Sequence, residues 1–304
     1  MVNKLGFILD YLKAMINRKL LRGRKRPTKY AGKKMLSLQD GNDLIYSLLS
    51  SEEPCMIARY GTTELGIIKW RIAQKLHLKN DYNEGNLYAI CNFSGFFPKE
   101  QDKVKQFADL MLEKSKCVDF IGCLYPPMED YIIKHYAPQA KVADLKAVEP
   151  RYVEVPWSRV LKGKKVLVIH PFEISILSQY EKRDKIFEGT DILPEFELKT
   201  LKAVQTIAGE KDPRFADWFE ALEYMYNEAM KIDFDIAIIG CGAYGFPLAA
   251  KLKEAGKKAI HMGGCTQLLF GIKGKRWESN PAIIKFSNDS WIYPADQERP
   301  KNSE

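Results

Sequence analysis

Residues 234–277 read FDIAIIGCGAYGFPLAAKLKEAGKKAIHMGGCTQLLFGIKGKRW: an apolar strand, a glycine turn, a helical stretch, a second strand and a second glycine turn. That order is most of a βαβ unit, which commits a chain to parallel strands joined by crossover helices. Upstream, apolar runs alternate with helical stretches. Residues 54–60, 87–93, 117–124, 141–145, 164–170 and 196–200 read as strands. Residues 40–49, 62–76, 99–114, 128–136, 173–187 and 213–231 read as helices, with Thr62 or Thr63 capping the second. The expectation is an α/β fold, a Rossmann-like, mostly parallel open sheet with helices on both faces. Ligands of such sheets lie beyond the carboxyl ends of the strands. Here those ends fall at Arg59-Tyr60-Gly61, at residues 92–95, at Tyr125, at residues 170–173, and at the turns 240–245 and Gly263-Gly264.

With 304 residues, 46% of them apolar, the chain can bury a full core as one large α/β domain or two smaller ones. No run approaches the roughly 18 to 20 apolar residues that span a bilayer. The six cysteines form no CxxC pair, so reduced, buried thiols are expected in place of zinc ligands or disulfides. The net charge of +8 is unevenly placed: residues 13–34 hold ten Lys or Arg and no acid. Together with Leu5, Phe7, Ile8, Leu9, Leu12, Met15, Ile16 and Leu20, this segment reads as a basic amphipathic helix. It is suited equally to an anionic membrane surface or a partner and to packing on its own domain. No nucleic-acid module accompanies the charge, so nucleic acid is not expected. The organisation expected is a basic arm over 1–38, one α/β domain over 39–294 and a mobile tail over 295–304. The interleaved charges of the first 21 residues are unlike a secretion signal. The expected location is therefore cytoplasmic, with peripheral contact at the inner face of the membrane through residues 1–34.

Gly240, Gly242 and Gly245 spell GxGxxG between a strand and a helix, spacing that suits a phosphate cradled by backbone amides. The acid that would hold an adenosine ribose about 20 residues on is replaced by His261-Met262-Gly263-Gly264. A nucleotide-sugar diphosphate therefore fits better than a nicotinamide cofactor. Tight packing is the alternative use of the same glycines. Lys273, Lys275 and Arg276 beside Trp277, shortly after Gln267, can neutralise a leaving diphosphate while the indole stacks on a base or sugar. Glu64, in the first turn of its helix, can bind metal, accept a proton or complement the helix dipole. His170 with Glu173 is a second pair for proton transfer or hydroxyl binding, and a satisfied core histidine is the plain alternative.

On ARYGTTELGII, VLVIHPFEISILSQY and the long C-terminal segment, the chain resembles the GT-D fold glycosyltransferases over about residues 41–277. These enzymes move a sugar from a nucleotide sugar to a glycan or glycoprotein. The resemblance implies a nucleotide-sugar donor and a glycan, glycoprotein or lipid-linked acceptor. It implies donor contacts at Arg59, Tyr60, Gly61, Thr62, Gly240, Gly242, Tyr244, Gly245, Gly263, Gly264, Gln267, Lys273 and Arg276. Catalytic roles fall to Glu64, Glu173 and His170. The family's front motif carries an Asp-x-Glu pair linked to a divalent metal, Mn or Mg. Thr62 stands at the aspartate's position, leaving Glu64 as the one metal-ligand candidate and Lys273, Lys275 and Arg276 as a substitute for the ion. The same departure admits a sugar-nucleotide module without turnover. A dinucleotide-dependent oxidoreductase is the remaining alternative.

Overall fold

The computed structural model describes residues 3–20 and 27–300. Residues 1–2 and 21–26 of the basic arm and 301–304 of the tail lie outside the described residues. In chain order the elements are α1 (Lys4–Leu20), the short antiparallel pair β1 (Lys29–Tyr30) and β2 (Lys33–Lys34), α2 (Leu38–Ser50), β3 (Met56–Ala58), α3 (Thr62–Lys75), α4 (Glu84–Ser94), α5 (Gln101–Lys114), β4 (Phe120–Cys123), α6 (Glu129–Tyr136) and β5 (Lys141–Asp144). After a run of single 3-10 turns come β6 (Lys165–His170), α7 (Glu173–Tyr180), α8 (Arg183–Ile186), β7 (Glu197–Lys202), α9 (Trp218–Met230), β8 (Ile236–Ile239), α10 (Gly245–Glu254), β9 (Lys258–His261), α11 (Thr266–Leu269) and α12 (Pro281–Ile284).

Seven strands form one sheet in the order β5-β4-β3-β9-β8-β6-β7, and every neighbouring pair in it is parallel. The α/β expectation therefore holds, with the sheet wholly parallel. Strand residues alternate between two cores, as the period-two pleat requires. Met56, Ala58, Leu167, Ile169, Ala237 and Ile239 join the layer packed with α3, α5, α9 and α10. Ile57, Val166, Val168, Ile236, Ile238 and Ile260 join the layer beneath α2, α7 and α11. Both faces of the central strands are buried, which explains their uninterrupted apolar spelling.

Three expectations about local structure are corrected. Residues 87–93, read as a strand, belong to α4. Leu87 and Ile90 face inward one helical turn apart, Asn83 caps the start by accepting from the Asn86 amide, and Gly95 ends the helix at φ 76°. The helix expected over 173–187 breaks after Tyr180 into α7 and α8. Neither Thr62 nor Thr63 caps α3. Gly61 takes that position without a side-chain bond, and the Glu64 carboxylate folds back over it, since a Cβ on Gly61 would lie 1.7 Å from Glu64 Oε2.

The first and last described segments are tied to the domain. Phe7 of α1 is buried edge-on against Tyr131, Tyr30 donates to Glu129 Oε2 at 2.9 Å, and Lys33 Nζ donates to the Ala137 and Ala140 carbonyls. Of the segment 295–304 expected to be a mobile tail, residues 295–300 are described and are held through Glu298. This buried carboxylate accepts from the amides of Ile174 and Ser175 and from Ser175 Oγ, capping the first turn of α7. No helix among the described residues is long and apolar enough to cross a membrane.

Candidate functional site

From β3 the chain steps outward through β4 to β5. From β6 it steps outward to β7 and then inward through β8 to β9, so the two series meet where β3 lies beside β9. This is the topological switch point of the sheet, where diverging connections leave a crevice. Arg59 follows β3, and Gly263 and Gly264 follow β9. A Cβ on Gly263, whose φ is +63°, would lie 3.2 Å from Arg59 Nε, and one on Gly264 would lie 1.6 Å from Arg276 Nη2. Each glycine is thus overlaid by a guanidinium, and the absence of side chains there lets both cations approach the turn.

The pair is electrostatically open. Arg59 Nη1 donates to the Tyr60 carbonyl at 3.1 Å, whereas Arg59 Nε is buried without a hydrogen-bond partner among the described residues. Surrounding protein lowers the proton affinity of Arg276, and Arg59 lowers it further. Two neutral imidazoles flank the cations. His170, at the end of β6, accepts the Phe172 amide on Nδ1 at 3.0 Å, which leaves the ring proton on Nε2. Its pKa is lowered to about 3, by burial first and then by Arg276. His261, at the end of β9, is likewise lowered to about 3, by burial and then Arg59. The site therefore combines two positive charges and two uncharged rings, an arrangement that attracts an anion, while the Glu64 carboxylate already stands at the amino end of α3.

The other expected contacts divide into those near this centre and those that build the frame. Glu64 lies in the first turn of α3, largely buried, and Thr62 stands exposed ahead of it. Tyr60 is a core residue, its ring stacked on Phe246 and its hydroxyl donating to Ser115 Oγ. Tyr244 stacks on Trp218 with its hydroxyl 3.2 Å from Thr206 Oγ1. Gln267 donates to the Ile272 and Lys273 carbonyls and so shapes the loop that carries Arg276. Glu173 occupies the half-buried first turn of α7.

The GxGxxG turn, expected to cradle a diphosphate, also forms a packing joint. A Cβ on Gly240 would sit 2.6 Å from Thr266 Cβ and 2.7 Å from the Gly263 carbonyl. One on Gly242, at φ +58°, would sit 2.8 Å from the Ser94 carbonyl, and one on Gly245 would sit 2.2 Å from His261 Nδ1. These glycines bring α10, α4 and the β9 turn into contact, while Gly242 keeps an exposed edge. Gly245→Ala is accordingly expected to destabilise the fold by about 2 to 4 kcal/mol, because the His261 ring is buried and has little room to retreat. Urea unfolding of wild type and variant measures this.

A cavity of about 330 Å³ adjoins the cationic loop, its lining including Leu268, Lys273, Gly274, Trp277, Trp291 and Tyr293. The Arg276 guanidinium stacks 3.9 Å from the Trp277 ring, so the indole links the cavity to the cation pair, and Lys273 Nζ lies over Tyr293. Size and aromatic lining are those of a small-ligand pocket.

Glu129 lies outside every motif that the sequence singles out. An acid just beyond a proline pair at a strand's carboxyl end was the available signal. Glu129 is fully buried and accepts from the Leu124 and Tyr125 amides and from Tyr30. It anchors a loop in which Tyr125 and Met128 both hold positive φ. Burial pushes its pKa up to about 7, against hydrogen bonds and Arg59, which pull it down.

The carboxylate expected to hold a divalent cation, Glu64, lies in the first turn of α3. Among the described residues no group of three or more His, Cys, Asp or Glu is placed to hold one. Glu64 supplies a single carboxylate there, whereas a hard dication wants several oxygen ligands. Comparison with protein-family models, with curated proteins and with solved structures returned no match.

Proposed function

We propose that this chain is a glycosyltransferase that moves a sugar from a nucleotide-diphosphate sugar to a glycan or glycoconjugate acceptor. The observation that carries the reading is the convergence of Arg59 and Arg276 on the Gly263-Gly264 turn at the switch point. In the reaction the bond from the anomeric carbon to the diphosphate oxygen breaks and its electron pair leaves with the diphosphate. An acceptor hydroxyl oxygen bonds to that carbon and releases its proton. Two guanidiniums held beside the leaving oxygens stabilise the developing anion without reorganising, which is where such catalysis gains most. Glu64 is the group assigned to receive the acceptor proton. His170, with Nδ1 already accepting a backbone proton, serves as a donor to a sugar or phosphate oxygen and not as a base. The aromatic cavity beside Trp277 takes the base or the sugar face.

A second reading, a sugar-nucleotide module without turnover, is favoured by Thr62 in the place of a carboxylate. The oxidoreductase reading would want a ribose-binding acid after β9, where His261-Met262-Gly263-Gly264 stands. Calorimetric titration with UDP, GDP, dTDP and CMP sugars, followed by a nucleotide-release assay with glycan acceptors, separates these cases. Saturable binding with acceptor-dependent release is the expected result. Binding without release would favour the silent module, and no binding of any donor would overturn both.

A further inference from the structure

The helix α1 has two apolar sides, and the domain uses one. Phe7 is buried against Tyr131, Ala14 packs at the margin of the same core, and Lys69 lies over Tyr11. These contacts fix α1 against α6 and α3. On the opposite side stand Leu5, Leu9, Leu12 and Ile16, exposed by 69%, 47%, 52% and 54%. At the turn of an α-helix they fall within about 60° of one another and run about 16 Å along its axis. Six of the fourteen exposed large hydrophobics among the described residues lie on this one helix. Scattered apolar residues need no explanation, whereas an aligned stripe does.

Charge says what covers it. From Lys13 to Lys34 the sequence carries ten Lys or Arg and no acid. Lys33 is committed to the Ala137 and Ala140 carbonyls and Lys13 pairs with Asp10, while Lys29 and Lys34 are exposed. A second copy of this chain would bring an equally basic segment against the first. A surface of anionic headgroups over acyl chains matches both the cations and the aliphatic stripe.

We infer that α1 lies flat on an anionic membrane surface, with Leu5, Leu9, Leu12 and Ile16 entering the acyl boundary and the flanking Lys and Arg residues meeting the headgroups. Its packed side keeps the α/β domain docked beside the bilayer. The inference is independent of the transfer reading, since it concerns a different face and needs no donor.

The test is flotation of the full chain with vesicles of equal parts phosphatidylglycerol and phosphatidylcholine, and with vesicles of phosphatidylcholine alone. Binding is expected to favour the anionic vesicles by about tenfold or more and to weaken as salt rises. Replacing all four stripe residues by Ser, with unchanged circular dichroism and melting, is expected to cut binding about tenfold or more. Replacing Lys13, Arg18, Lys19 and Arg22 by Gln is expected to remove the anionic preference. Wild-type protein that stays with the pellet in both lipids would overturn the inference, as would vesicle binding that survives the Ser substitutions. A concentration-dependent dimer in sedimentation, abolished by the same substitutions without any vesicle binding, would assign the stripe to a second copy and overturn it equally.

Discussion

Arg276→Gln is expected to weaken nucleotide-sugar binding by about 10- to 100-fold while leaving the fold as stable as before or more so. The first half follows from the value of a hydrogen bond to a charged group, about 1.5 to 3 kcal/mol. The second follows from what Arg276 lacks. Its guanidinium lies over Gly264, is disfavoured by the surrounding protein and is further disfavoured by Arg59. Removing it relieves a like-charge repulsion and breaks no ion pair among the described residues, at the cost of the stack on Trp277. A purely structural arginine would behave oppositely, with stability falling and affinity untouched. The double variant Arg59→Gln, Arg276→Gln is expected to lose affinity by about 1,000-fold or more, since the two cations act on one anion. Calorimetry with the tightest donor, beside urea unfolding of the same preparations, reads both quantities. Unchanged affinity in the double variant would remove the cation pair from the ligand site.

The second large effect concerns acid. His170 and His261 have folded pKa values lowered to about 3, below the ordinary histidine value. The unfolded chain therefore binds more protons than the native one between about pH 3 and pH 6.5, and stability falls as pH drops through that window. From pH 7 to pH 5 each histidine costs about 2 kcal/mol on this basis. Glu129 works in the reverse direction. Its folded pKa is pushed up to about 7, so the native state takes up a proton first as pH falls, and stability rises by about 2 kcal/mol over the same interval. Wild type is accordingly expected to lose about 2 kcal/mol between pH 7 and pH 5, and Glu129→Gln about 4 kcal/mol. The amide oxygen can take the place of Oε2 and keep the Leu124, Tyr125 and Tyr30 contacts, giving up only the second Leu124 contact at Oε1. Denaturant titrations at the two pH values decide the matter. Equal losses in the two proteins would mean that Glu129 titrates normally.

Which parts of this molecule were legible in the chain depended on whether one residue's neighbours were local. The strands at 165–170 and 236–239 were plain because both faces of a central parallel strand are apolar. Residues 87–93 misled because a short apolar run fits both periods, and the arbitrating signals, Asn83 and Gly95, lay outside it. The glycine spacing at 240–245 located a turn correctly, but spacing alone does not say what stands over each glycine. Here it is Thr266, a carbonyl of α4 and His261. Arg59 and Arg276 were each suspected on separate grounds. Their meeting over adjacent glycines follows from β3 lying beside β9, a pairing that no local pattern encodes. Glu129 was passed over because its importance comes from partners at Tyr30 and Arg59, distant in the chain.

That same strand pairing sets a timetable for the growing polypeptide. Met56 and Ile57 have no neighbour on one side until Ala259 and Ile260 have been synthesised, and such long closures are slow to form. Everything up to the eighth strand can be made and partly ordered while the cleft is still a gap in the middle of the sheet. The strand that joins the two halves of the sheet is thus the last of the seven to be synthesised, and Arg59 can meet the Gly263 turn only after it.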